Sequence, residues 1–230
     1  MSAVLLAIDT ATEQCSVALR YNGRCFQRAA ITPREHSQRV LGFVDEVLAE
    51  AGIGLADIDG IVCGYGPGSF TGVRIGVAIC QGLAFSHTLP VYPVSTLAAL
   101  AQQAIRRESA TTIVSAIDAR MQEVYVASFT NQGGIAQALM APQMAALSPL
   151  QTQAWRPSAN TAVVGVGTGW QAYRSQLDPD HEVAVLETVT LPLAEDMLTL
   201  ADSVAAVDAA ELEPLYVRNE VTWKKLPGRG

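Results

Sequence analysis

Charge is scarce in this chain. Only 16% of its 230 residues are Asp, Glu, Lys or Arg, while half are apolar. Disorder needs the opposite balance, so a sizeable buried core is expected. Long hydrophobic runs are also missing. No apolar stretch reaches the roughly 20 residues that cross a bilayer, and no membrane association is expected. The opening Met1-Ser2-Ala3-Val4 has no basic region, and the apolar run after it breaks at Asp9, so a signal peptide is not expected. Positive charge is scarcer than negative: 15 basic against 22 acidic residues give a net charge of −7. Such a chain repels phosphate backbones at long range and is a poor holder of nucleic acid by itself. Its one basic cluster, Lys224-Lys225 with Arg229, reads as a solvated tail. Cysteine is limited to Cys15, Cys25, Cys63 and Cys80, with no CxxC spacing. These read as reduced core thiols of a cytoplasmic protein rather than metal or disulfide ligands. His36, His87 and His181 share no short spacing, and no HExxH, nucleophile elbow or triad order is present.

What is present is an alternation of strand and helix patterns. Val4 to Ile8 is a short β-branched run, as in a buried strand. Cys15 to Arg20 alternates apolar and polar residues, and Asn22-Gly23 suits a type I′ turn, so Cys25 to Ile31 should return antiparallel. Thr32 and Pro33 suit a helix start, Val40, Val44, Val47 and Leu48 recur at helical spacing, and Gly52 ends the pattern. Strands follow at Ile58 to Cys63 and Pro90 to Val94, with helices over about 73–85 and 95–107. From Ala136 to Ser158 the composition of Ala, Gln and Pro carries only weak signals.

The halves match. Ala7-Ile8-Asp9 aligns with Ala116-Ile117-Asp118, and at the same offset of 109 residues Val17-Ala18 aligns with Val126-Ala127. Each half reads strand, Asp, polar turn, alternating strand, Asn/Gly turn, which points to an ancient duplication. The expected architecture is α/β, with two lobes of mixed sheet at 1–108 and 109–230 and the last segment returning to the first lobe.

Three places could carry chemistry. Asp9 with Thr10, and Asp118 in the matching place, would face each other across a cleft and could position a hydrated cation and a phosphate. Gly165, Gly167 and Gly169 follow a strand, as in a nucleotide-facing turn. The densest signal is Gly64 to Gly76. It is not a P-loop, since no GK[ST] follows. Gly72 and Gly76 share one helix face, continued by Ile79, Cys80 and Leu83, which another helix could approach closely. That helix is apolar nearly all round and should be covered on more than one side.

Gly66-Pro67-Gly68-Ser69-Phe70-Thr71-Gly72-Val73-Arg74-Ile75-Gly76 resembles the signature of the TsaB (YeaZ) family. So do Ile8 to Thr12, Glu35-His36-Ser37, Ala116 to Tyr125, Gly167 to Trp170 and Pro214 to Asn219. The resemblance implies an actin-like ATPase (ASKHA) fold and a paralogue of the transferase TsaD, of the TsaD/Kae family. It implies a non-catalytic subunit, required with TsaD and the ATPase TsaE for transfer of threonylcarbamoyl to adenosine 37 of tRNAs reading ANN codons. The metal-binding HxxxH of TsaD is represented here by His36 and Val40, and an apolar side chain cannot be a ligand. No catalytic residue, metal or cofactor is expected, and any nucleotide site at Asp9, Thr10, Asp118, Gly165, Gly167 and Gly169 would be vestigial. The expected partner surface for TsaD comprises Val40, Val44, Val47, Leu48, Gly72, Gly76, Ile79, Cys80 and Leu83. The same face would form a homodimer when the chain is alone, and tRNA would be met only through the complex. The competing readings are an independent ATPase or small-molecule kinase of the same fold, and a metallopeptidase-like protein.

Overall fold

The computed structural model describes residues 2–147 and 162–217. The basic cluster Lys224, Lys225 and Arg229 lies outside the described residues.

The first lobe opens with β1 (Leu5–Asp9), β2 (Gln14–Tyr21) and β3 (Arg24–Ile31), an antiparallel meander. Asn22 and Gly23 turn the β2–β3 hairpin with φ of 50° and 72°, the left-handed pair that a type I′ turn requires. Helix α1 (His36–Ala51) starts one turn later than Thr32 and Pro33 suggest, and it ends on Gly52 in the left-handed conformation. Strand β4 (Gly60–Gly66) lies parallel to β1. Helix α2 (Phe70–His87) starts where the Ser69 hydroxyl accepts from the Gly72 amide at 3.4 Å. Strand β5 (Val91–Ser95) completes a sheet of order β3-β2-β1-β4-β5, and α3 (Thr96–Glu108) leads away from it.

The second lobe repeats the plan. Strands β6 (Thr112–Arg120), β7 (Glu123–Gln132) and β8 (Ile135–Ala146) form another meander. Strand β9 (Val164–Val166), α4 (Thr168–Leu177), β10 (Ala184–Val185) and α5 (Ala194–Ala201) follow. The sheet order, β10-β9-β6-β7-β8, is the first order read backwards. Strand β8 falls in the stretch with the weakest sequence signals. Its pairing with β7 holds an Ala- and Gln-rich segment extended despite low intrinsic preference.

The layers run helix, sheet, helix, sheet, helix. Leu6 and Ile8 of β1 face α1 and α2 on the outside, whereas Leu5 and Ala7 face α5 on the inside. In the second lobe Val114 and Ala116 of β6 face α4 on the outside, and Ile113 and Ile117 face α3 on the inside. Thus α3 and α5 form the layer between the sheets. Arg106 of α3 clamps Asp196 of α5 through two bonds of 2.7 and 2.9 Å.

These facings correct the alignment of the two halves. Side chains of a strand alternate, so an offset of 109 would place Ile8, which faces out, on Ile117, which faces in. Facing and neighbours match instead at 108, with Ile8 on Ala116. The second strands do match at 109: Val17 with Val126 outside, Ala18 with Ala127 inside. The second hairpin is therefore one residue longer, and the structural counterpart of Asp9 is Ile117, not Asp118.

After α5 the chain returns to the first lobe. Val207 pairs with Val91 on the edge of β5, and Leu215 N donates to Tyr65 O at 2.8 Å. Among the described residues no helix is long and apolar enough to cross a membrane.

Candidate functional site

The two lobes enclose a cleft of about 1000 Å³. Its first-lobe wall includes Thr12, Arg34, His36, Ser69 and Phe70; its second-lobe wall includes Asp118, Arg120, Met121 and Thr168. The starts of α1, α2 and α4 all reach it. Arg120 spans the mouth, with Asp118 at 3.1 Å on its own lobe and Glu13 at 3.6 Å on the other. Arg120, Met121 and Gln122 hold φ of 66°, 55° and 61°. This run of left-handed residues is costly for side chains with a Cβ, and it leaves Met121 80% exposed on the lip.

Of the six residues expected to form a nucleotide site, only Asp118 lines this cleft. Asp9 is fully buried at the end of β1. One carboxyl oxygen accepts from the Ala11 amide at 3.2 Å and the other has no partner. Burial pushes the Asp9 carboxyl up to about 7, against a small downward pull from the Ala11 amide. The Thr10 hydroxyl donates to Gly72 O at 2.7 Å and is likewise buried. The expectation that Asp9 and Asp118 face one another across a cleft is corrected by the one-residue difference between the hairpins. Asp118 accepts from the Arg120 amide at 2.8 Å and from the Tyr173 hydroxyl at 3.1 Å, so its oxygens serve the β6–β7 turn. The glycines of the second lobe make room for their own lobe. A side chain on Gly167 or Gly169 would collide with Ala116, and one on Gly165 with the Trp170 ring. The residues expected to hold a nucleotide therefore do not fit that role as a set. Among the described residues no group of three or more His, Cys, Asp or Glu side chains is placed to hold a metal ion.

The expected partner surface also needs correction. Val40, Val44, Val47, Leu48 and Cys80 are buried in the first-lobe core, with Ile79 and Leu83 partly buried against it. Gly72 and Gly76 face inward: a side chain on Gly72 would meet Thr10 O, and one on Gly76 the Thr10 hydroxyl 2.7 Å away. The close approach those glycines permit is to β1 of their own lobe. The outward side of the same helices is different. On α2, Thr71, Ala78, Gly82 and Phe85 are exposed at helical spacing; on α1, Gln38, Leu41, Gly42, Asp45 and Ala49 are. Phe85 is 61% and Leu41 47% exposed. A side chain added at Gly42 or Gly82 would meet nothing within 4 Å. The sequence signal for this face lies opposite the apolar stripe: on α1, the positions between the core residues include Gly42 and Ala49 together with Asp45.

A mixed sheet of order β3-β2-β1-β4-β5, repeated around a cleft, defines a two-lobed protein of the actin-like ATPase fold. The family model for TsaD, tRNA N6-adenosine threonylcarbamoyltransferase, matches residues 29–217. The tRNA threonylcarbamoyladenosine biosynthesis protein TsaB of Haemophilus influenzae is 44% identical, over 98% of each chain. The TsaB of Escherichia coli is also 44% identical, over 98% of this chain and 99% of that one. A solved structure, YeaZ from Pseudomonas aeruginosa, superposes with a TM-score of 0.87 at 40% identity, covering 94% of this chain and all of that one. The chain belongs to the TsaB family.

Proposed function

We propose that this chain acts in tRNA threonylcarbamoyladenosine biosynthesis as a non-catalytic subunit, binding TsaD through the outward face of α1 and α2 and working with TsaE. Membership of the TsaB family supports the pathway. The observation that carries the mode of action is the face itself. Leu41 and Gly42 of α1, and Ala78, Gly82 and Phe85 of α2, are exposed on two helices that touch each other, with no cover from the other described residues. Two open glycines let another helix pair come close, and exposed apolar side chains of this size favour a protein contact. Because TsaD shares the family model, its own equivalent helices are the natural counterpart, and self-pairing through the same face is the alternative when TsaD is absent. The placement of Asp9, behind Gly64 and away from the cleft, supports a role without chemistry of its own. tRNA is engaged through the complex, since the acidic chain offers phosphate little attraction.

The test is co-purification with TsaD, followed by size measurement and reconstituted threonylcarbamoyl transfer. Gly82→Arg should keep its thermal melt, because the site is open, yet lose association and transfer together. Normal association of a folded Gly82→Arg chain would move the interface elsewhere. The interlobe cleft favours one other reading, an independent ATPase. ATP turnover by the chain alone, abolished by Asp118→Asn, would establish that reading instead.

A further inference from the structure

Helix α2 needs cover on more than one side, and the structure shows where the second side is met. Its inner side packs on β1 through Gly72 and Gly76. One flank is covered by the closing segment from Val207 to Val217. That segment starts at the β5 edge, where Val207 and Val91 exchange two backbone bonds of 2.8 and 2.9 Å. It then runs along α2 toward the helix start. The Gln81 side-chain amide donates to two of its carbonyls, Ala209 O at 3.1 Å and Leu212 O at 3.0 Å. Ala209 and Leu212 are buried in the same cluster as Val73, Val77, Cys80 and Ala84 of α2. Two helical turns before Gln81, the Arg74 guanidinium lies 3.3 Å from the Phe70 ring centre and 5.1 Å from that of Tyr216. Between these points Leu215 is tied to Tyr65, at the end of β4.

We propose that Val207–Val217 is a strap whose docking holds α2 in register, so that strap docking and partner binding on the outward face of α1 and α2 are coupled, with Gln81 as the positioning residue. The second half of this statement rests on the partner reading above; the first does not. The strap is joined to α2 by few polar ties and a small apolar footing, and it reaches α2 from the far end of the chain. Segments of this kind open separately from the global fold. Gln81 is placed to decide that opening, because its two donors satisfy two strap carbonyls that water would otherwise have to reach. When the strap is docked, α2 is covered on its inner side and one flank, and the outward stripe is presented on a fixed helix. Binding on that stripe then favours the docked strap, and by reciprocity the docked strap favours binding.

Two measurements test this. The first uses the chain alone. Cys80 is fully buried on α2 and Cys25 is exposed, so alkylation of Cys80 reports α2 opening while Cys25 serves as internal control. Gln81→Glu keeps the side-chain shape but turns both donors into acceptors facing carbonyls. It should raise Cys80 alkylation and amide exchange in 207–217 by about tenfold or more, with Cys15 and Val17 still protected. Equal loss of protection at Cys15 would mean that the strap is part of the global fold, and no change at Cys80 would mean that it does not hold α2; either overturns the strap. The second measurement adds TsaD. Gln81→Glu should weaken association about tenfold, within the range of ordinary coupling, and TsaD should slow exchange of the wild-type strap. Unchanged affinity with a loosened strap overturns the coupling. Failure of the wild-type chain to bind TsaD overturns the partner reading and the coupling together, while the alkylation result still decides the strap.

Discussion

The carboxyl of Asp9 occupies the space that a side chain on Gly64 would need. The two residues sit on neighbouring parallel strands, β1 and β4, and only a glycine on β4 leaves room for a buried carboxyl on β1. Replacing Gly64 with Ala should therefore cost about 1–3 kcal/mol through overpacking. Gly82→Ala is the control. It adds a methyl group to an open helical position and should be neutral or stabilising by up to about 1 kcal/mol. Thermal or denaturant melts of the two variants check this; equal effects would show that Asp9 can move aside.

The same carboxyl makes stability depend on pH. Its folded-state pKa, raised to about 7, lies above the unfolded value near 3.8. The native state therefore holds a proton that the unfolded chain releases, and stability falls as pH rises from about 4 to about 7. Below that window the contribution is fully present; above it the loss is complete, on the order of 4 kcal/mol from the size of the shift. Asp9→Asn should remove most of this slope between pH 5 and pH 8, whatever it does to the absolute stability. Melts across that range decide it, and an equally steep slope in Asp9→Asn would assign the dependence to another group.

Much of the fold is legible in the sequence, and the misread parts have identifiable causes. Runs such as Leu5–Asp9 are buried on both faces because helices cover both sides of each sheet, and Asn22-Gly23 marks its hairpin by the backbone angles it accepts. The alignment of Asp9 with Asp118 fails because strands alternate with a period of two, so one extra turn residue in the second hairpin exchanges inside for outside. Strand β8 is illegible because pairing, not composition, extends it. The partner face was turned inward for a different reason. An apolar stripe on an amphipathic helix goes first to its own core, and Val40, Val44, Val47 and Leu48 obey that rule. Helix α2 is apolar nearly all round, so its glycines gave no direction until Thr10 was seen beneath Gly72 and Gly76.

Asp118 lies at the cleft but bonds its own turn, so it should not be needed for chemistry. Asp118→Asn retains the shape and keeps an acceptor for the Tyr173 hydroxyl. Threonylcarbamoyl transfer by the reconstituted complex should stay within a few-fold of wild type. A large loss of transfer with intact folding and assembly would identify a working active site in this chain.

The clamp between the lobes sets the last expectation. Asp196 is fully buried, and Arg106, over a third exposed, bonds both of its oxygens and reaches Glu195 at 2.8 Å. Burial alone pushes the Asp196 carboxyl up, and Arg106 pulls against that shift. Removing Arg106 strands a buried carboxylate between α3 and α5. Breaking a buried pair costs about 3–5 kcal/mol, and solvent access to Arg106 puts Arg106→Leu toward the lower end, about 3 kcal/mol. Loss of the pull should raise the Asp196 pKa further, so Arg106→Leu should be least destabilising at low pH and worsen as pH rises. The double variant Arg106→Leu, Asp196→Leu removes both the charge and its partner and should recover much of the loss. Denaturant melts of the two single variants and the double variant form a cycle that measures the coupling. A double variant no more stable than Arg106→Leu would mean that packing of the arginine stem across the α3–α5 layer, rather than the charge pair, holds the lobes together.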